Sequence, residues 1–564
     1  MRILFTAISG TNTDGVLKRV SSVISSHEEV KIVKFEDFLI QAHEDRLTEL
    51  SFTPEYIKEQ IKQIRSPGGI QILLSWPKDY IRETWKKAFD QVRHDTDGIN
   101  HVFFSMHSIY YQTQNREFFT AYASDALSEF AVDKVITLVD DIYDCHARLR
   151  VDNGVMSDSS RERVFPDPHE RARARINDLF TILDWRSKEM IAAEQIASIL
   201  HKKHYVISVK HPLLVITSIL EHDSIAVVYV SHPITQVRRL MKSKRSDEAN
   251  AIKSQIAELI KELINGKEDI VTAVFPTSVD ELIIQKEEGS AICAPVLDER
   301  WPLMFECDKL MYVKPELLPQ NPLDIEGTYY GADGSLKLDA LDKDLYAVST
   351  LINDVLRPTI ANHIDSRDHY LVDQCDAICV FRPYFDGNYS TGVSEEIEHR
   401  TTRFRCGIDN IPKPCIVYCP PDDLAKVRLL YLLELVEEET STKFSTADVT
   451  KMIETARNDS QTWFRLRNLQ PEDWEGEQVK KLFQNAGLKV QLAGKIEKGA
   501  LGKTPGLQHM TQDYEFWNEI LSRVVDDCFD SILKFSSYAA SFISPSTNLT
   551  PSMTLVMSLW ALIR

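Results

Sequence analysis

The chain has no CxxC pair and no His/Cys group at zinc spacing, although it carries nine cysteines. Neither a disulfide framework nor a metal site is therefore expected, and an unpatterned odd count suits a reducing cytoplasm. An apolar run of bilayer length is missing too. The stretch from Met553 to Ile563 is short and contains Thr554 and Ser558, so a buried helix, or one that docks on a partner subunit, is expected there and no membrane. A secretion signal is not expected either, because Met1-Arg-Ile-Leu-Phe-Thr-Ala-Ile-Ser-Gly10 stops at a Ser-Gly turn and reads as a first strand. Positive charge is in deficit: 65 Lys and Arg stand against 84 Asp and Glu, a formal net charge of −19. That balance argues against direct nucleic-acid binding and leaves small molecules or proteins as the expected partners. No internal repeat is evident.

What is present is an ordinary globular composition, 43% hydrophobic and 26% charged. At 564 residues the chain is too long for one core, and a prior of roughly 100–200 residues per domain suggests about three. Residues 1–210 alternate strands and helices. The strands are Arg2–Thr6, Val30–Lys34, His101–Phe104, Val135–Val139 and Tyr205–Val209, with helical patterns over Val16–Ser25 and Ile176–Leu200. Residues 211–424 repeat the logic with strands at Ile225–Val230, Ile270–Phe275, Asp376–Phe381 and Pro414–Tyr418, and a charged helix from Gln236 to Asn265. An insertion at about 285–360, with many prolines and with Tyr329 and Tyr330, suggests loops over the sheet. Strand signals disappear in 425–564, where Leu429–Val436 and Phe516–Phe535 are the most periodic segments. The expected class is α/β: two doubly wound parallel-sheet, Rossmann-like domains followed by a helical C-terminal region.

The stretch from Ser366 to His399 carries the most chemistry. A buried strand, Asp376–Phe381, runs into a loop with Pro383, Gly387 and Asn388, and Gly392-Val-Ser-Glu-Glu-Ile397 then opens a helix. Ligands of α/β sheets collect at the carboxyl ends of strands and at the helix N-termini that follow, so Glu396, placed in a first helical turn, would face such a crevice. Cys375/Cys379 and Cys415/Cys419, each four apart inside apolar runs, read as core.

The order of pieces in 1–210 resembles the adenylate-kinase-like P-loop family, particularly its archaeal type. Ile3–Gly10 stands where that family has its Walker loop, and His101-Val-Phe-Phe-Ser-Met-His107 resembles its strand ending in Asp-Thr-His. Val135 to Asp141 with Arg148 and Arg150, and then Asp184-Trp-Arg-Ser-Lys-Glu189, complete the likeness. The phosphate chemistry is missing from it. Such a loop needs glycines for close backbone approach, a lysine for the phosphates and a hydroxyl for magnesium. Here Ala7 and Asn12 stand at glycine positions, Thr13 at the lysine and Asp14 at the hydroxyl. A structural, partner-binding or nucleotide-sensing remnant is expected more than a kinase, with His107 a satisfied polar residue at a strand end.

Residues 225–422 resemble the nucleoside 2-deoxyribosyltransferase family, interrupted by the insertion. Ser231-His232-Pro233 stands at its Ser/Ala-Gly-Pro turn, Asp368 and Asp376-Ala377 at its second motif, and Gly392-Val-Ser394-Glu-Glu396 at its Gly-Thr-x-x-Glu helix start. The resemblance implies Glu396 as nucleophile and Asp376 or Asp368 as the group that protonates a departing base or binds sugar hydroxyls. It also implies substrate contacts from Ser231, His232, Pro233, Gly392 and Ser394, and no cofactor. The chemistry suits a carboxylate: breaking a C1′–N bond passes through an oxocarbenium-like state that a carboxylate can capture covalently. His232 in place of glycine either narrows the approach or adds a hydrogen-bonding group. Arg382 either binds a substrate phosphate, which points to a nucleotide or dinucleotide, or is a surface arginine on a loop. Asp376 could equally cap a helix end, and Glu396 could be a solvated helix-face residue beside Glu395 and Glu398.

The expected function is hydrolysis or transfer at an N-glycosidic bond of a nucleoside, nucleotide or NAD. Deoxyribosyltransferase-like domains also occur as toxic effectors of bacterial antiviral defence, and a large chain with a defunct kinase module fits a regulated effector. A catalytically silent nucleotide-sensing or assembly protein is the alternative, and a nucleotide kinase the second. The expected partners are a nucleotide-like substrate and a protein or second copy held through the C-terminal helices.

Overall fold

The computed structural model describes residues 1–24, 30–66, 68–113, 115–120, 132–142, 145–146, 148–149, 168–222, 225–241, 245–264, 271–279, 284–286, 293–295, 303–306, 309–312, 355–385, 388–406, 415–418, 425–426, 429–430, 432–433, 436–437, 443–468 and 476–488. Tyr329, Tyr330, Arg150, Gly387, Cys419 and the helical readings at Phe516–Phe535 and Met553–Ile563 lie outside them. The chain divides into two compact units, Met1–Val227 with Glu268–Gln374 and Val228–Lys267 with Cys375–Arg564. Among the described residues no helix is long and apolar enough to cross a membrane.

In the first unit, the near-continuous apolar runs read from the sequence become five parallel strands, as expected of segments buried on both faces. They are β1 (Arg2–Thr6), β2 (Val30–Lys34), β3 (His101–Met106), β4 (Lys134–Val139) and β5 (His204–Ser208), in the order β2-β3-β1-β4-β5. Helices connect them: α1 (Thr13–Ile24), α2 (Phe35–Glu49), α3 (Pro54–Ile64), α4 (Lys78–Asp95) and α5 (Pro168–Leu200). The start of α3 is written locally, since the Thr53 side chain accepts from the Tyr56 amide and Pro54 supplies the fixed φ of a first turn. Phe35 lies 5.6 Å from Phe104 of β3 and 4.6 Å from Phe89 of α4, and the fully buried Trp85 meets Tyr110 edge-on at 5.2 Å. Polar groups inside the sheet are paired with one another: Thr6 Oγ1 is 2.9 Å from Thr137 Oγ1, which is 2.8 Å from His204 Nε2.

His107, one residue beyond β3, ties several loops together. Its Nδ1 donates to the Ala7 carbonyl of the β1 exit, and its Nε2 lies 3.1 Å from Glu36 Oε1 and 3.3 Å from Ser9 Oγ. Glu189 of α5 accepts the Ser108 and Ile109 amides at 2.7 and 2.8 Å. Burial opposes charge on the imidazole, yet the Glu36 carboxylate and then Glu189 overcome it and lift His107 to about 9. The satisfied polar residue read from the sequence is thus a half-buried imidazole held in its charged form by Glu36.

The second unit starts within β6 (Ala226–Ser231) and continues through α6 (Ile234–Met241), α7 (Ser246–Ile264), β7 (Ala377–Phe381), α8 (Thr391–Arg405) and β8 (Cys415–Tyr418). β7 pairs in parallel with β6 on one side, Ile378 opposite Tyr229, and with β8 on the other, Ile378 opposite Cys415. The single charged helix expected over 236–265 is two helices, because Ser246-Asp247-Glu248 begins a new one with acidic residues in its first turn. Further on, α9 (Thr446–Asn458), α10 (Ser460–Asn468) and α11 (Gly476–Asn485) contribute Met452, Trp463 and Phe483 to a core shared with Leu429 and Val436. Parallel sheets flanked by helices make the chain α/β.

Trp85→Ala should lower the stability of the first unit by about 3–5 kcal/mol, read as a shift of its urea midpoint. His107 has a second signature. Folding raises its value from 6.5, so its contribution is complete below pH 6.5 and is lost as the pH rises through about 9. His107→Gln should therefore flatten the fall of the urea midpoint between those two values, and an unchanged slope would refute the ion pair.

Candidate active site

In β6, alternation places Tyr229 and Ser231 on the same face, and both are fully buried at the carboxyl end of the strand. A buried hydroxyl needs a partner. Theirs is Glu396: Tyr229 Oη donates to Oε1 at 2.5 Å and the Ser231 hydroxyl donates to Oε2. Glu396 is 8% exposed, whereas Glu395 and Glu398 on the same helix are exposed. Helical spacing explains the difference, since Val393, Glu396, Ile397 and Arg400 form one inward face. The solvated helix-face role thus belongs to Glu395 and Glu398.

The helix begins at Thr391, which puts Glu396 at its sixth residue, in the second turn. This corrects the first-turn placement and changes the electrostatics. A group this far along receives none of the open amides of a helix N-terminus, so hydroxyls from the neighbouring strand take their place. The loop that delivers the helix is short: the Ser390 amide donates to the Pro383 carbonyl at 2.9 Å, and Tyr384–Phe385 pairs antiparallel with Asn388–Tyr389. Arg382, at the first residue of that loop, has φ 55° and is 9% exposed, so it is no surface arginine. A left-handed backbone at a non-glycine residue costs free energy and persists only where its surroundings require it.

His232 is buried, its Nδ1 lies 3.2 Å from the Val230 carbonyl, and Pro233 is buried beside it ahead of α6. Gly392 is exposed in the first turn of α8, and a Cβ built on it would meet no atom within 4 Å. Ser394 occupies the same turn. Asp376 is half-buried, one residue before β7. Asp368 belongs to the first unit, where it holds the buried Arg367 through its Oδ1, 2.8 Å from Nη2. Arg367 donates in turn to the Val279 carbonyl at 2.9 Å.

The structure therefore brings together Ser231 and Glu396 from the sequence reading and adds Tyr229. Tyr229 was legible in principle, because it stands two residues before Ser231 on a strand and so shares its face. Arg400, buried and donating to the Cys375 carbonyl at 2.8 Å, carried no motif. Cys375 and Cys379 are buried thiols, and among the described residues no group of His, Cys, Asp and Glu is placed to hold a metal. No protein family and no curated protein matches the chain.

Removing a donor from a buried carboxylate leaves it under-satisfied, so Tyr229→Phe should cost about 1–3 kcal/mol of stability. In a Glu396→Gln background the same change should cost less, and a double-mutant cycle with coupling near zero would contradict the bond.

Proposed function

We propose that the second unit breaks N-glycosidic bonds of a nucleoside, nucleotide or NAD, with Glu396 as nucleophile. One observation carries the reading: a buried carboxylate at the carboxyl edge of a parallel sheet, oriented by two hydroxyl donors. Glu396 attacks C1′ as the C1′–N bond breaks; the base leaves with the bonding electrons and takes up a proton, and a glycosyl ester remains. Water or a second base then attacks C1′ and releases the carboxylate. Tyr229 and Ser231 favour both steps by fixing the attacking carboxylate and stabilising it as leaving group.

Asp376 precedes β7 and so stands at the amino end of a strand whose Val380 is level with Ser231, which leaves the proton donor to the base unassigned; Arg382 is the proposed ligand of a substrate phosphate. His232 fills the place where the resembling family has glycine, which suits a substrate outline different from that of a free nucleoside. Depletion of a nucleotide or NAD by such a site would serve a toxic effector of antiviral defence.

Purified protein, incubated with nucleosides, nucleotides and NAD and analysed by chromatography, should release free base from one class. Glu396→Gln should reduce release by at least about a thousandfold, and undiminished release would sink the assignment. Ser231→Ala should retain activity at about a tenth to a hundredth of wild type, the worth of one hydrogen bond to a charged group.

A further inference from the structure

In the first unit, the carboxyl edge of the sheet opens into a cavity of about 670 Å³. That volume is in the range of small-molecule sites, roughly 300–1,000 Å³. Its walls are the exits of β1, β2 and β3. The place is the one expected of a ligand: the chain leaves β1 toward β2 on one side, and leaves β3 across β1 toward β4 on the other, so the crevice lies at a switch point of the sheet.

The same cavity is built against anions. A loop that cradles phosphate turns its amides outward, but here two of them bond within the loop, Thr11 to the Ile8 carbonyl and Thr13 to the Thr11 carbonyl, at 3.2 and 2.8 Å. The two helices that begin at the cavity carry their own carboxylates in the first turn, Asp14 in α1, and Glu36 and Asp37 in α2. Three of the cations that line it are already engaged, and Arg65 is the fourth. Lys34 holds Asp14, His107 holds Glu36, and Arg148 donates to the Gly10 carbonyl at 2.5 Å and to Asp140 at 2.7 Å. Asp140 is fully buried and has Lys210 only at 3.8 Å besides, so drawing Arg148 away would remove its nearer cation. Arg65 is exposed at the end of α3.

What the cavity offers is acceptors. Glu36, directly after β2, keeps 45% of its side chain exposed, and Asp37 beside it is exposed. Burial would raise the Glu36 carboxyl, yet the hydrogen bond and charge of His107 bring it below its ordinary value. A carboxylate that lines the cavity and keeps part of its side chain open is placed to accept the paired hydroxyls of a sugar. We propose that this cavity binds an unphosphorylated ribonucleoside, with Glu36 accepting its ribose hydroxyls and Asp14 excluding the phosphorylated forms. The site is separate from Glu396 and does not depend on the activity proposed for it.

Calorimetric titration of the full chain with adenosine, guanosine, cytidine and uridine, and with their 5′-monophosphates, tests this. At least one nucleoside should bind, and its monophosphate should bind at least about tenfold more weakly. Asp14→Ser, at an exposed position that tolerates the change, should narrow that gap to near unity with nucleoside affinity kept. Glu36→Gln should weaken the nucleoside about tenfold, and so should use of its 2′-deoxy analogue. Ser231→Ala should leave this binding unaltered. The proposal is overturned if no nucleoside binds or if monophosphates bind wild type equally well. It is overturned also if Asp14→Ser leaves the preference unchanged, or if binding responds to Ser231→Ala and not to Glu36→Gln.

Discussion

A carboxylate withdrawn from water must find donors, and in the second unit that demand is met by Tyr229 and Ser231. Much of the local structure is arranged around this contact. The two donors must lie two residues apart on one strand to share a face, the strand must end there for the helix to approach, and the helix must present its sixth residue rather than its first. The loop from Arg382 to Ser390 sets that approach, closed by a backbone hydrogen bond and begun by a left-handed arginine.

The carboxyl edge in the first unit solves a related problem by a different balance of charge. There the strand exits carry both signs, and they pair with one another: Lys34 with Asp14 at the surface, His107 with Glu36, and Arg148 with the buried Asp140. The loop after β1 is held open by His107 and Arg148, which bond the Ala7 and Gly10 carbonyls. One sheet edge holds a buried carboxylate between two hydroxyls, whereas the other holds paired charges with acceptors toward the opening.

The strands were legible because long apolar β-branched and aromatic runs have few ways to be buried, and parallel sheets accept them on both faces. Their ends fell within a residue or two of the reading, as at Val135 against Lys134 and Asp376 against Ala377. Of the three candidate carboxylates, the helix glutamate was separable from Glu395 and Glu398 only by knowing which face of α8 is inward, and that depends on where the helix starts. Asp368 shows the limit most plainly. On paper it is a carboxylate in a promising motif; in the fold it holds the buried Arg367 next to it.

By itself the sequence determined the α/β character, the positions of the parallel strands, the want of a lysine in the loop after β1 and the short list containing Ser231 and Glu396. All of these rest on local periodicity and residue type. Tertiary structure alone decided that Tyr229 joins Ser231 on Glu396, that His107 is a cation bound to Glu36, and that a cavity lies above a loop that bonds two of its own amides. Those facts depend on contacts between residues far apart in the chain, some 167 positions for Tyr229 and Glu396. Burial then converts each such contact into a requirement, because a charge removed from water is tolerated only where the fold supplies its partner.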